Sequence, residues 1–138
     1  MTAVPEVRRP IVTFVCIHNA GRSQMAAGFA RALGGDRVEV RSAGTDPDAK
    51  ISATAAAAMA EVGIDITAQV PRLLTLADAE ASDVVITTGC GADCAMFPGI
   101  DSTDWTLPTQ AGPGIEHVRP VRDAIHHQVT LLLARLDR

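Results

Sequence analysis

The chain has 138 residues, 47% of them hydrophobic but only 3% aromatic, with no tyrosine and a formal net charge of −4. That length fits one domain around one core, and with so few aromatics the core must be mostly Ala, Val, Leu and Ile. The acidic balance argues against broad affinity for nucleic acid or anionic membrane, which takes a clustered positive field, yet it leaves room for a site that holds one small anion.

Residues 1–10 (MTAVPEVRRP) carry charges and two prolines and lack an apolar h-region, so they are expected to form a flexible N-terminal arm ahead of a single domain over 11–138. No run approaches the length of a bilayer span. The odd set of cysteines, Cys16, Cys90 and Cys94, is unlike a secreted disulfide framework and points to a reducing cytoplasmic setting. Ile11 to Val15 (IVTFV) is short, apolar and β-branched, the pattern of a strand buried on both faces of a parallel sheet. The loop CIHNAGRS follows and leads into an alanine-rich helix with Met25, Phe29 and Leu33 on one stripe, stopped by Gly34-Gly35. Val38 to Ser42 alternates as a strand, and Ser52 to Val62 reads as a second helix with a Ser52 cap and a Gly63 stop.

Ile64 to Leu76 reads as loop with a helical turn, Asp83 to Thr88 (DVVITT) as a third buried strand, and the neighbourhood of Trp105 as a short fourth one. Val118, Val121, Ile125, Val129, Leu132 and Leu136 then form the apolar stripe of a last helix, with Pro120 near its first turn or at a kink. Strands alternating with helices imply an α/β fold with a small parallel sheet.

The chemistry gathers at the end of the first strand. Ligands of open α/β sheets collect at the carboxyl ends of the strands, where Cys16 sits. The amides of Ile17, His18, Asn19, Ala20, Gly21, Arg22 and Ser23 can cradle an anion with help from the positive end of the following helix. Gly21 is expected to permit the tight turn. Arg22 offers a planar fork that matches a tetrahedral oxyanion, and the same positive surroundings favour the Cys16 thiolate, the form that reacts. Ser23 is placed to donate to that sulfur, and Asn19 to brace the loop. His18 shapes the loop, whereas His117, His126 and His127 read as surface residues on or near the last helix. Cys90 and Cys94, in GCGADC after the third strand, are open to three readings: inert thiols, half of a zinc site, or redox partners of Cys16. Their spacing of three intervening residues is unlike the usual zinc knuckle, so no metal site and no cofactor is expected.

The segments VTFVCIHNAGRSQMAAGFA and VRSAGT resemble the low-molecular-weight phosphatase superfamily, especially its arsenate reductase branch. The likeness continues through EVGIDI, SDVVITTGCGADC, Asp104-Trp105, AGPG and VRPVRDAI, almost the whole chain beyond the arm. The resemblance implies a four-stranded parallel sheet flanked by helices, arsenate as substrate with phosphate or sulfate as mimics, and reduction to arsenite. In such a reaction Cys16 attacks arsenate, Cys90 attacks the Cys16–arsenic adduct, and Cys94 moves the disulfide outward to a thioredoxin-like protein. A related branch recruits mycothiol and a mycoredoxin-like partner instead, and GCGADC is similar to actinobacterial members. Where the family carries an Asp-Pro pair whose Asp is the general acid, this chain aligns Thr109-Gln110, a loss that weighs most against phosphatase chemistry. Asp101, Asp104 or solvent are the substitutes on offer as proton source. Asp93 and Asp123 read as surface or capping charges. The alternatives are a low-molecular-weight phosphatase and a weakly active oxyanion- or arsenite-binding protein.

Overall fold

A computed structural model describes residues 9–89 and 102–136. The strands are β1 (Ile11–Cys16), β2 (Glu39–Gly44), β3 (Val84–Thr87) and β4 (Ser102–Asp104), paired in parallel in the order β2-β1-β3-β4. The helices are α1 (Arg22–Gly34), α2 (Ala53–Ala60), α3 (Leu76–Ala81) and α4 (Ile115–Leu136). The chain has the expected four-stranded parallel sheet with flanking helices.

The strand sequences explain the layering. Val12 and Phe14 of β1, with Val84 and Ile86 of β3, point to one face and join α1, α2 and α4 in the main core. The alternate residues Val15 and Val85 point to the other face, under Ile17 and Leu74. Burial on both faces is why IVTFV and VVIT are continuous apolar runs rather than alternating ones. Phe14 meets Trp105, just after β4, with ring centroids 5.6 Å apart in a tilted arrangement that aromatic quadrupoles favour.

Several expectations shift in detail. Met25 and Phe29 are buried on α1, but Leu33 is 42% exposed, because the stripe ends with the helix and the last turn leaves the core. The second helix ends at Ala60, and a turn leads to Gly63, whose φ of 80° stops any continuation. The helix α3 lies mostly beyond the segment read as loop with a helical turn. Its six residues are too few to show periodicity, and a capping box between Thr75 and Asp78 starts it. Pro120 is the sixth residue of α4, inside the helix. The buried guanidinium of Arg122 ties α4 to α2 by donating to the Ala58 carbonyl at 2.9 Å and to Glu61 Oε1 at 2.8 Å. Of the proposed N-terminal arm, residues 1–8 lie outside the described residues. At its end the Pro10 carbonyl accepts from the Glu39 amide at 2.9 Å.

Candidate active site

β1 ends at Cys16 and α1 begins at Arg22, so the loop between them opens at the carboxyl edge of the sheet next to a helix N-terminus. Its carbonyls are drawn away from the site by donors elsewhere. The Ile17, His18 and Ala20 carbonyls accept from the amides of Asp46, Asp48 and Ser52 on the β2–α2 connection, at 2.8, 2.9 and 2.9 Å. The Gly21 carbonyl accepts from Met25 N at 2.9 Å, and the Asn19 carbonyl from the Gln24 side chain at 2.9 Å. With the carbonyls occupied, the amides of His18, Ala20 and Gly21 donate to no protein group among the described residues, the arrangement of an anion-binding nest.

The left-handed residue in the loop is Asn19, with φ 49°, and not Gly21, whose φ is −121°. Asn tolerates the left-handed region because its side chain bonds locally, and Gly21, at φ −121° and ψ −90°, lies outside the α and β regions. Asn19 is wholly buried and uses every polar atom. Its amide donates to Cys16 Sγ at 3.1 Å and its Nδ2 to Ser23 Oγ at 2.7 Å, while Oδ1 accepts from Arg72 N at 3.0 Å and Gln24 Nε2 at 3.1 Å. Ser23 Oγ lies 2.8 Å from Cys16 Sγ. Because that oxygen already accepts from Asn19, its own hydrogen is available to the sulfur. Cys16 is a free, partly exposed thiol.

Cys16 and Arg22 share the wall of a cavity of about 470 Å³ with His18, Asp48, Gly89 and Gln110. Arg22 Nη1 donates to the Thr88 carbonyl at 3.3 Å, which steers the guanidinium along the edge beyond β3. Gly89, with φ 96°, makes room for it: a Cβ there would lie 2.8 Å from Nη1. Gly44, at the end of β2, does the same for the loop, since a Cβ would sit 2.5 Å from the Ile17 carbonyl oxygen. His18 Nδ1 lies 3.1 Å from the Asp46 carbonyl and 3.5 Å from Asp48 Oδ1 at the cavity mouth.

Other expected residues fall elsewhere. Asp104 belongs to β4 and accepts from the Thr87 hydroxyl, and it does not line the cavity, so it is not brought to the acid's place. Gln110, rather than Thr109, reaches the cavity wall. Asp123 is exposed and accepts from Arg122 Nε, and His126 stacks on Phe29 at the surface. Cys90, Asp93, Cys94 and Asp101 lie outside the described residues.

The residues that sequence reasoning passed over are Gly44, Gly89, Gln24, Arg72 and Asp48. The two glycines carried a signal, Gly44 as the last residue of β2 and Gly89 two residues beyond β3. Gln24 and Arg72 carried none, because their importance depends on what faces them across the fold.

The sequence profile described as low molecular weight phosphotyrosine protein phosphatase matches residues 11–138. A glutaredoxin arsenate reductase of Synechocystis is 38% identical over 129 residues, covering 91% of this chain and 98% of that protein. Among solved structures, a thioredoxin-dependent arsenate reductase of Corynebacterium glutamicum superimposes with a TM-score of 0.80 at 36% identity. That match covers 94% of this chain, which spans only 62% of the length of that protein. An arsenate reductase in the phosphate-binding state superimposes with a TM-score of 0.79 at 37% identity, covering 92% of this chain and 98% of the other.

Proposed function

The chain belongs to the low-molecular-weight phosphotyrosine protein phosphatase family, and within it we propose that this protein is an enzyme that reduces arsenate to arsenite. The observation that carries the reading is the pairing of a nest of loop amides and Arg22 with a sulfur that accepts from Asn19 N and faces Ser23 Oγ. Relatives named as arsenate reductases over most of the chain support it. The neutral amide of Gln110 at the cavity wall supports it further, because a phosphoester's leaving oxygen needs a proton donor and the described residues of that segment that line the cavity, Gln110 and Pro113, offer no acid.

In the proposed reaction the loop amides and Arg22 bind the arsenate oxygens. The Cys16 thiolate attacks arsenic and a hydroxide leaves with a proton as water. Cys90 thiolate then attacks Cys16 Sγ: a Cys16–Cys90 disulfide forms, the sulfur–arsenic bond breaks, and its electron pair stays on arsenic, now arsenite. Cys94 thiolate attacks Cys90, releasing the Cys16 thiolate and leaving a Cys90–Cys94 disulfide. Gly89, the residue before Cys90, lines the cavity, which supports the order of the relay. A thioredoxin-like dithiol returns the pair to thiols. The alternative route, capture of Cys16 by mycothiol and release by a mycoredoxin-like protein, would leave Cys90 and Cys94 outside the cycle. We place the enzyme in the cytoplasm, in keeping with its reduced thiol chemistry. Among the described residues no helix is long and apolar enough to cross a membrane.

The test combines purified protein with arsenate, thioredoxin, thioredoxin reductase and NADPH, and in parallel with an aryl phosphate. Arsenate-dependent NADPH oxidation that disappears in Cys16→Ser is the expected result. Phosphate release from the aryl ester without NADPH oxidation would replace this reading with the phosphatase one. Binding of arsenate with neither activity would leave an oxyanion-binding protein.

A further inference from the structure

A row of side-chain amides runs from the buried anion loop to the surface, and every hydrogen bond in it points the same way. At the outer end Arg31 Nη1 donates to Gln69 Oε1 at 2.7 Å. Gln69 Nε2 donates to Gln24 Oε1 at 2.7 Å, and Gln24 Nε2 to Asn19 Oδ1 at 3.1 Å. Asn19 Nδ2 donates to Ser23 Oγ at 2.7 Å, and Ser23 Oγ lies 2.8 Å from Cys16 Sγ. Gln24, Asn19 and Ser23 are each wholly buried.

The direction is set at the outside. A guanidinium has donors only, so it holds Gln69 with its carbonyl oxygen outward and its NH₂ inward. Gln69 then fixes the amide of Gln24, and Gln24 fixes that of Asn19. With its oxygen held by Gln24 Nε2 and Arg72 N, Asn19 can present only its NH₂ to Ser23, and Ser23 can turn its hydrogen only toward the sulfur. Two side contacts reinforce the arrangement: Ser42 Oγ donates to Gln24 Oε1 at 3.4 Å, and Gln69 Nε2 is 3.1 Å from the Gln24 carbonyl. Hydrogen bonds aligned head to tail polarise one another, and in a buried, low-dielectric row this places the positive end at the sulfur.

We propose that Gln24 and Gln69, oriented by Arg31, are positioning residues that hold the Ser23 hydroxyl as a donor to the Cys16 thiolate. The inference rests on Cys16 being the nucleophile, and it adds the part of the molecule that holds a hydrogen-bond donor on that sulfur. The charged and titratable groups that face Cys16 across the cavity, among the described residues, are Arg22 from α1, His18 from the loop and Asp48 from the β2–α2 connection. The variants below leave all three in place.

The readout is the rate at which iodoacetamide alkylates Cys16, followed by mass mapping of the Cys16 peptide from pH 5 to pH 9. It needs no arsenate and so stands apart from the assay of the reaction. Gln69→Glu keeps the contact with Arg31 but cannot donate to Gln24, and it lies on a half-buried position where the fold tolerates change. Gln24→Met removes the middle link. Both are expected to slow alkylation at pH 7 by about three- to tenfold, the effect of weakening one charge-assisted hydrogen bond, and to move the profile toward higher pH until the rates converge. Arsenate kcat should fall in Gln69→Glu while KM stays near that of the unaltered protein, since that variant leaves the carbonyl contacts of the loop and Arg22 in place. Gln69→Lys, which restores a donor to Gln24, should recover most of the rate. Folded variants with an unchanged pH profile overturn the proposal. So does slowing by the same factor at every pH, which would mean altered access to the sulfur rather than altered ionisation.

Discussion

Replacing Gly44 by alanine should damage the anion loop without changing any residue of the loop. The added Cβ would stand 2.5 Å from the Ile17 carbonyl oxygen, 2.9 Å from Asn19 Cβ and 3.0 Å from Asn19 N, all parts of the loop itself. Real Cβ contacts stay above 3.0 Å, so the loop must retreat by roughly half an ångström at Ile17. It cannot do so freely. The Ile17 oxygen is held at 2.8 Å by Asp46 N, and the Gly44 amide and carbonyl are themselves bonded to Arg72 and Leu74. A misplacement of about 1 Å at a reacting centre costs about 10²-fold, so a half-ångström shift predicts a fall in kcat/KM for arsenate of about ten- to a hundredfold. The overpacking should cost about 1–3 kcal/mol of stability. Steady-state NADPH oxidation coupled through thioredoxin measures the first, and thermal unfolding by circular dichroism the second. A folded Gly44→Ala protein with kcat/KM within twofold of the unaltered enzyme would refute the argument that this edge of β2 sets the loop.

Three further outcomes are expected. Gln110→Glu places a carboxyl on the cavity wall; with a well-placed acid contributing about 10²–10⁴-fold, aryl phosphatase activity should rise at least tenfold between pH 5 and 7, and no rise would show that this wall does not face the leaving oxygen. Cys94→Ser should accumulate a Cys16–Cys90 disulfide after one turnover with arsenate, read by mass mapping; finding only a Cys16 adduct with a small thiol would replace the relay by the mycothiol-type route. Asp78, nearly buried, is held well below the ordinary carboxylate range, at about 2, first by the Arg72 side chain and then by Thr75. A depressed carboxylate stabilises the fold above its unfolded value and loses that contribution as pH falls from about 4 to about 2, here on the order of 2 kcal/mol. Asp78→Asn should therefore lower the melting temperature at pH 6 and flatten its decline in acid. Glu61, also near 2 through Arg119 and Arg122, titrates in the same window and will leave part of the slope.

Much of this molecule is legible in one dimension. Continuous β-branched runs declared β1 and β3 because both of their faces are covered, and Cys16 to Ser23 marked a strand–loop–helix candidate anion site because each residue type there has a local reason to be present. The long stripe on α4 was equally plain. The short helix α3 was not, since six residues cannot display a period and only its capping box betrays it. The left-handed turn at Asn19 was hidden for a similar reason, since it rests on hydrogen bonds that come from residues 24 and 72.

What the linear order indicated by itself was thus the kind of sheet, the proposed nucleophile and the proposed oxyanion cradle at its edge, because these depend on neighbours within a few positions. Which side chains hold the cradle open was decided only in three dimensions. Gly44, Gly89, Arg72 and the row from Arg31 through Gln69 to Gln24 come from separate elements, and a residue's polarity or smallness acquires its meaning from what the fold sets against it. Hydrophobic pattern encodes which face turns inward; the pairing of buried donors with acceptors is written only when the elements meet.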